Sequence, residues 1–210
     1  MLDVKGLTSS FIEPWRTSSF ADNDQAPWHL VGNIEALLRQ QIAGLDSSYQ
    51  RVDEIAVHRT AIIEAGAVVK GPAIIGPNCF IAAGAYLRGG VYLERDCIIG
   101  PSSELKTTVM FAGSKLAHLN FVGDSIIGAD VNIEAGAIIA NYRNELENRN
   151  IRIAYRGQVI DTGVDKFGAL VGDRSRIGAN AVVAPGALLE RASIVGRLQL
   201  IDQNPQIELT

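Results

Sequence analysis

The chain has 210 residues, 47% hydrophobic and 20% charged, a globular composition with room for one sizeable core and an appendage. A formal net charge of −4 without a dense basic run argues against nucleic acid or an anionic membrane surface as a partner. No apolar leader and no stretch near the roughly 20 apolar residues of a membrane span is present, and two cysteines make no disulfide scaffold, so the expected compartment is a reducing cytoplasm.

Residues 1–54 form an N-terminal extension, and residues 1–26 carry no usable pattern. Residues 27–43, PWHLVGNIEALLRQQIA, read as an amphipathic helix. Leu30, Ile34, Leu37, Leu38 and Ile42 share one broad face, Pro27 suits the first turn and Gly44 the end. This helix is expected to cap the open first turn of the domain that follows, which would otherwise bare its strand edges.

From residue 55 the chain keeps a six-residue beat. Val57, Ile63, Val69, Ile75, Ile81, Leu87, Leu93, Ile99, Leu105 and Phe111 form one apolar ladder. A second ladder two residues earlier is mostly small: Ile55, Ala61, Ala67, Ala73, Cys79, Ala85, Val91, Cys97, Ser103 and Val109. A helix with 3.6 residues per turn cannot hold that period, whereas short strands joined by tight turns can. Three hexads make a triangular coil of about 18 residues, and such coils stack at about 4.8 Å with parallel pairing. The beat returns at Val171, Ile177, Val183, Leu189 and Val195. The coil domain therefore spans 55–200, is interrupted at 143–168 and is followed by a tail, 201–210. Within the interruption, Ile151, Ile153 and Tyr155 alternate ahead of Arg156-Gly157, which predicts an extruded β-hairpin. Such an insertion either marks the binding side or simply decorates the surface.

Residues 18 apart should stack on neighbouring coils. Cys79 and Cys97 then lie side by side in the wall as packed thiols. Arg88 and Lys106 project from one corner, where the two cations repel unless an anion or carboxylates such as Glu104 answer them; a phosphate would neutralise both. His118 follows Ala117, which stands where a large rung is due, and the beat resumes at Ile127 after only four residues from Gly123. A coil distorted there would open a groove with His118 as a candidate general base. His29 and His58 read as ordinary surface histidines.

The stretch ELK…GSKLAHLNFVGDSIIGADVNIEAGAIIANY resembles the acetyltransferase half of the bifunctional glucosamine-1-phosphate acetyltransferase/uridyltransferases, within the hexapeptide-repeat family. The repeat resemblance covers about residues 55–142 and 169–196. It implies an all-β, left-handed parallel β-helix, and here an N-terminal capping helix and an extruded hairpin loop accompany it. The resemblance implies that His118 is the catalytic base. It makes Arg88 and Lys106 sugar-phosphate contacts, and Asn132 a sugar contact. Asn141 and Tyr142 meet both acetyl-CoA and substrate. The Ala135 N–H serves the thioester oxyanion. It further implies direct acyl transfer from acetyl-CoA or another acyl-CoA, no metal, and a homotrimer with CoA between subunits. The acceptor expected is an amino-sugar phosphate or nucleotide-linked amino sugar. The pattern is broken in three places: the substrate-site tyrosine is Phe121, a serine near CoA is Ala179, and the segment with Arg143, Asn144, Glu145 and Glu147 replaces the aspartate-glycine and lysine after Tyr142. No glycine-rich nucleotidyltransferase motif precedes the helix, so a standalone form is expected. Two other readings stand beside the acyltransferase: a non-catalytic sugar-phosphate or nucleotide-sugar binding protein partnering a nucleotidyltransferase, and a hexapeptide-coil carbonic anhydrase, which would need three converging histidines.

Overall fold

The computed structural model describes residue 4 and residues 6–205. The chain from residue 55 winds as a parallel β-solenoid with three faces. The first face is a seven-stranded sheet built from two-residue strands at Ile62–Ile63, Phe80–Ile81, Ile98–Ile99, Lys115–Leu116, Asn132–Ile133, Arg176–Ile177 and Ile194–Val195. The second face follows the next corner through Val68–Val69, the start of Tyr86–Leu93, Glu104–Leu105, Phe121–Val122, Ile138–Ile139, Val182–Val183 and Leu200–Ile201. The third face runs through Ile55–Val57, Ala73–Ile75, Val91–Leu93, Thr108–Met110, Ser125–Ile127, Ala169–Val171 and Ala187–Leu189. One rung per side points inward, so Ile81, Leu87, Leu93, Ile99, Leu105, Leu116, Val122, Ile133 and Ile139 stack into a closed apolar core.

The beat shortens to five residues twice, from Leu105 to Met110 and from Val122 to Ile127, both at the corner between the second and third faces. Tyr86–Leu93 keeps the longer side by bulging at Gly89 and Gly90, both at positive φ. Two expectations are therefore corrected. Met110 fills the interior and Phe111 turns outward, because the shortened corner advances the register by one residue. For the same reason the rung before the histidine is Leu116, stacked between Ile99 and Ile133; Ala117 is exposed and the wall is not thinned.

The third face is apolar on both sides. Its outward residues Ala56, Ile74, Val109, Ile126, Leu170 and Leu188 form a second core with the N-terminal segment. That segment comprises helix α1 (Leu7–Phe11), a 3₁₀ turn (Glu13–Thr17), α2 (Pro27–Gly32) and α3 (Ile34–Gly44). The helix expected over 27–43 is thus present as two, broken at Asn33 (φ −109°, ψ 7°), where Gly32-Asn33 is a pair of weak helix formers. Both helices lie along the third face, α3 against Ala73–Ile75 and Tyr86–Leu93, and α2 against Glu104–Met110 and Phe121–Ile127. They cover a face and not the open first coil, because the exposed apolar row of that face is the larger surface to hide. At the first coil, the edge of the third face is instead covered by Tyr49–Val52, antiparallel to Ile55–His58.

The hairpin forms as the alternation predicts, Arg152–Tyr155 pairing with Gln158–Asp161 around Arg156-Gly157 at positive φ. Ile151, Ile153 and Tyr155 are buried in the second core, and Tyr155 packs against Phe11 with ring centroids 6.0 Å apart. Arg143, only 1% exposed, pins the start of the insertion by donating to the Pro185 carbonyl (2.9 Å) and the Asp202 carboxylate (2.6 Å). Gln203 accepts from the Ala154 N–H at 2.6 Å and from the Leu188 N–H at 2.7 Å, so the described part of the tail straps the hairpin down; residues 206–210 lie outside the described residues.

Cys79 and Cys97 are buried and unbridged, with Cys79 donating to the Glu94 carbonyl (2.8 Å) and Cys97 to the Phe111 carbonyl (3.3 Å). The neighbouring Cys79 thiol and then burial push the Cys97 thiol up, which suits two packed thiols.

Candidate functional site

Two corners flank the second face, and most of the expected site residues lie on them. At the corner from the first face, His118, Ala135 and Ala179 stack in a column: Gly136 N–H donates to the His118 carbonyl (3.0 Å), Asn180 N–H to Ala135 (2.9 Å) and Leu198 N–H to Ala179 (3.0 Å). The turn that presents His118 is forced by Leu119 at φ 56° and fastened by buried Asn120, whose Nδ2 donates to the Glu134 (2.7 Å) and Ala137 (3.1 Å) carbonyls. The His118 imidazole is exposed and, among the described residues, meets no hydrogen-bond partner. The Ala135 N–H likewise finds no acceptor there, whereas the Ala179 N–H is taken by Glu134 Oε2 at 2.9 Å. That N–H and the Arg197 guanidinium hold the Glu134 carboxyl below its usual range.

At the other corner Arg88 and Lys106 are register partners, as the 18-residue spacing predicts. Each is answered by a carboxylate. Arg88 Nε donates to Glu104 at 2.7 Å and lies 5.8 Å from the Tyr86 ring centre, with Lys70 at 5.4 Å from the same ring. Lys106 Nζ donates to Asp124 Oδ2 at 2.6 Å, and Asn141 Nδ2 donates to the same oxygen. Gly123 leaves room for this cluster: a Cβ there would come 2.8 Å from Asn141 Cγ and 2.9 Å from Phe121 Cζ.

Phe121 spans the face between the two corners, stacked between Glu104 and Ile138. Residues 118 and 123 are five apart, so the corners are separated by at most about 17 Å of extended chain. Tyr142 follows Asn141 into the insertion, with the Arg149 guanidinium 5.3 Å from its ring. Asn132 is not brought into this strip: it projects from the first face, in register with Lys115 and Arg176. The three histidines sit apart, on α2, on the first coil and at the His118 corner, and among the described residues no group of three His, Cys, Asp or Glu side chains could hold a metal.

The residue expectation missed is Lys166. The insertion returns to the corner it left: Phe167 N–H donates to the Asn141 carbonyl (3.1 Å) and Gly168 N–H to the Asp124 carbonyl (2.8 Å). Lys166 therefore lines a cavity beside Asp124 and Thr107, without an ion-pair partner among the described residues. Counting backwards from the resumed beat at Val171, and not forwards from Tyr142, would have found this lysine.

Comparison with known proteins identifies the repeats. The family profile described as bacterial transferase hexapeptide (six repeats) matches residues 55–89 and 72–107, and that of the hexapeptide repeat of succinyl-transferase matches 168–196. The chain belongs to the hexapeptide-repeat transferase family. This hexapeptide protein is 33% identical over 171 residues to a bifunctional sugar-1-phosphate nucleotidylyltransferase/acetyltransferase of Sulfurisphaera tokodaii, covering 76% of the chain and 41% of that relative. It is 32% identical over 188 residues to the bifunctional protein GlmU of Methanococcus maripaludis, covering 87% and 44%. The chain thus spans less than half the length of these curated relatives. Among solved structures, a hexapeptide transferase family protein from Anaplasma phagocytophilum is 20% identical, covering 71% of this chain and 79% of that one at a TM-score of 0.36. AntD, an N-acyltransferase from Bacillus cereus solved with dTDP and 3-hydroxybutyryl-CoA, is 17% identical, covering 72% and 71% at a TM-score of 0.37.

Proposed function

We propose that this hexapeptide protein is a CoA-dependent N-acyltransferase, acetyl-CoA its expected donor, acting on an amino-sugar phosphate or nucleotide-linked amino sugar. One arrangement carries the reading. Among the described residues, an imidazole without a partner and a backbone N–H without an acceptor occupy adjacent levels of one corner, across a single face from a cationic corner. His118 takes the proton from the acceptor amine as its nitrogen attacks the thioester carbonyl carbon. The oxyanion formed accepts from the Ala135 N–H. The intermediate then collapses, the C–S bond breaks, and the CoA thiolate recovers the proton from His118. Arg88, Lys106, Asn141 and Lys166 hold the phosphate end, with Phe121 beneath the sugar. Ala135, Ala179, Asn141 and Tyr142 flank the donor's path.

The acceptor strip lies open on the second face of one chain, and Ile138, Val182 and Leu200 expose an apolar column on the same face. A homotrimer would cover that column and bring Asn132 of one copy towards the strip of the next. We place the reaction in the cytoplasm, the compartment that two unbridged thiols suit.

The test is CoA release over a panel of amino sugars, with His118→Ala as control. Loss of a general base lowers the rate about 10²- to 10⁴-fold, and unchanged turnover in that variant sinks the mechanism. A second reading, non-catalytic sugar-phosphate binding, is favoured by one observation: among the described residues no side chain orients the His118 ring by a hydrogen bond. It predicts phosphate binding without CoA affinity, so a calorimetric titration with acetyl-CoA separates the two.

A further inference from the structure

Asp124 takes Lys106 and Asn141 on one side and also lines a cavity of about 470 Å³ roofed by α2 and α3. Resting on the acyl-transfer reading of the adjoining strip, we propose that this cavity is a second compartment of the acceptor site. The acceptor is then a nucleotide-linked amino sugar and not a bare sugar phosphate, with its diphosphate at the Lys106–Lys166 boundary and its nucleoside in the cavity.

Size and continuity are the first argument. A sugar 1-phosphate ends at the cations, yet the site continues past them into a space within the range of about 300–1,000 Å³ that small-molecule pockets occupy. Gly32 and Gly89 line it. A Cβ on Gly90, beside the lining Gly89, would lie 2.7 Å from Ile34 Cγ2, so glycine there lets α3 seat close, and a Cβ on Gly32 would meet nothing within 4 Å.

Charge decides the contents. Asp124, Asp165 and Glu35 line the cavity together with Lys166 and Arg39. Arg39 is already occupied, donating to Glu54 at 2.6 Å and to Glu35 at 3.0 Å. The compartment therefore repels a further phosphate. The side chains of Asn33 and Asp165, which make no hydrogen bond among the described residues, offer acceptors to ribose hydroxyls and base N–H groups. Lys166, which lines the cavity with Asp124 and has no ion-pair partner among the described residues, is the cation a second phosphate needs.

The experiment compares kcat/KM for CoA release from acetyl-CoA with glucosamine 1-phosphate and with uridine diphosphate-glucosamine as probes. The nucleotide-linked probe is expected to win by at least about tenfold in the native protein. Gly32→Trp fills the cavity from an open position and lowers that ratio at least about tenfold; Asp165→Ala lowers it in the same direction without added bulk. A native ratio at or below one, or a ratio that neither variant moves, overturns the proposal. If neither probe releases CoA, it is the acyl-transfer reading that fails. The compartment is then judged by calorimetry with uridine diphosphate alone. Binding that weakens in Gly32→Trp supports it, and absent or unaltered binding overturns it.

Discussion

Lys106 and Asp124 form an ion pair at 2.6 Å across one coil of the solenoid, with the carboxylate 7% and the ammonium 20% exposed. The same oxygen accepts from Asn141, which is joined through its carbonyl to the end of the insertion. Asp124 thus aims two site side chains and closes the loop over them. Asp124→Ala leaves Lys106 largely enclosed without its partner, and is expected to lower stability by about 1–3 kcal/mol. Asp124→Asn keeps an acceptor and costs less. Denaturant midpoints for the two variants measure the difference, and equal values would mean that the carboxylate charge alone anchors the corner and the acceptor kept by asparagine contributes nothing.

Asn120 offers a way to disturb the histidine without touching it. Its amide joins the Glu134 and Ala137 carbonyls of the next coil at 2.7 and 3.1 Å, in a buried position one residue past the strained Leu119. Asn120→Ala removes the bond to the Ala137 carbonyl and leaves the Glu134 carbonyl with only the Ala137 N–H at 3.3 Å, and is expected to cost about 1–3 kcal/mol. A freed corner also lets the imidazole wander, so kcat should fall more than KM rises. A variant with lowered stability and native kcat would show that the His118 backbone is held by the solenoid alone.

The fold was legible because a rung residue has nowhere to go but the interior: Ile81, Leu87 and Ile99 could be read off the period. The helical cover of the third face was not: its doubled apolar pairs Ile74-Ile75, Val109-Met110, Ile126-Ile127 and Leu170-Val171 are buried on both sides, yet Ile138-Ile139 and Val182-Val183 carry the same pattern and leave Ile138 and Val182 exposed. The five-residue sides were not legible. Met110 and Phe111 are both apolar, and only three-dimensional register tells which one faces inward. At the site, spacing put Arg88 beside Lys106 and offered Glu104 as an answering carboxylate, but it could not show that Asp124 answers Lys106, since side-chain reach across coils has no period. Lys166 was hidden by the insertion, which breaks the count while preserving the position.

Gly123→Ala tests the cluster from below. The new methyl would press on Asn141 Cγ at 2.8 Å and Phe121 Cζ at 2.9 Å, displacing two residues of the strip at once. Overpacking of this kind costs about 1–3 kcal/mol. The expected outcome is a lower melting temperature with a rise in KM for the phosphate-bearing acceptor, read by thermal unfolding and steady-state kinetics. Native KM would place the acceptor elsewhere.

The strap on the insertion should release in acid. Burial pushes the Asp202 carboxyl up, but the Arg143 hydrogen bond and the Asn204 N–H outweigh it, and the group sits below its ordinary value. A carboxyl lowered in the folded state contributes stability that is present above its unfolded pKa of about 4 and is lost as pH falls through the lower folded value. Arg143 keeps its charge throughout, and protonation of Asp202 leaves a guanidinium that is 1% exposed with only Glu145 and the Pro185 carbonyl as partners. Hydrogen exchange across residues 143–168 should therefore accelerate below about pH 4, ahead of the solenoid core. Asp202→Asn should show the faster exchange already at pH 7, at a cost of about 1–2 kcal/mol given the partial exposure of Asp202. Insertion amides as protected in that variant as in the native chain would mean that the Gln203 contacts hold the hairpin without the ion pair.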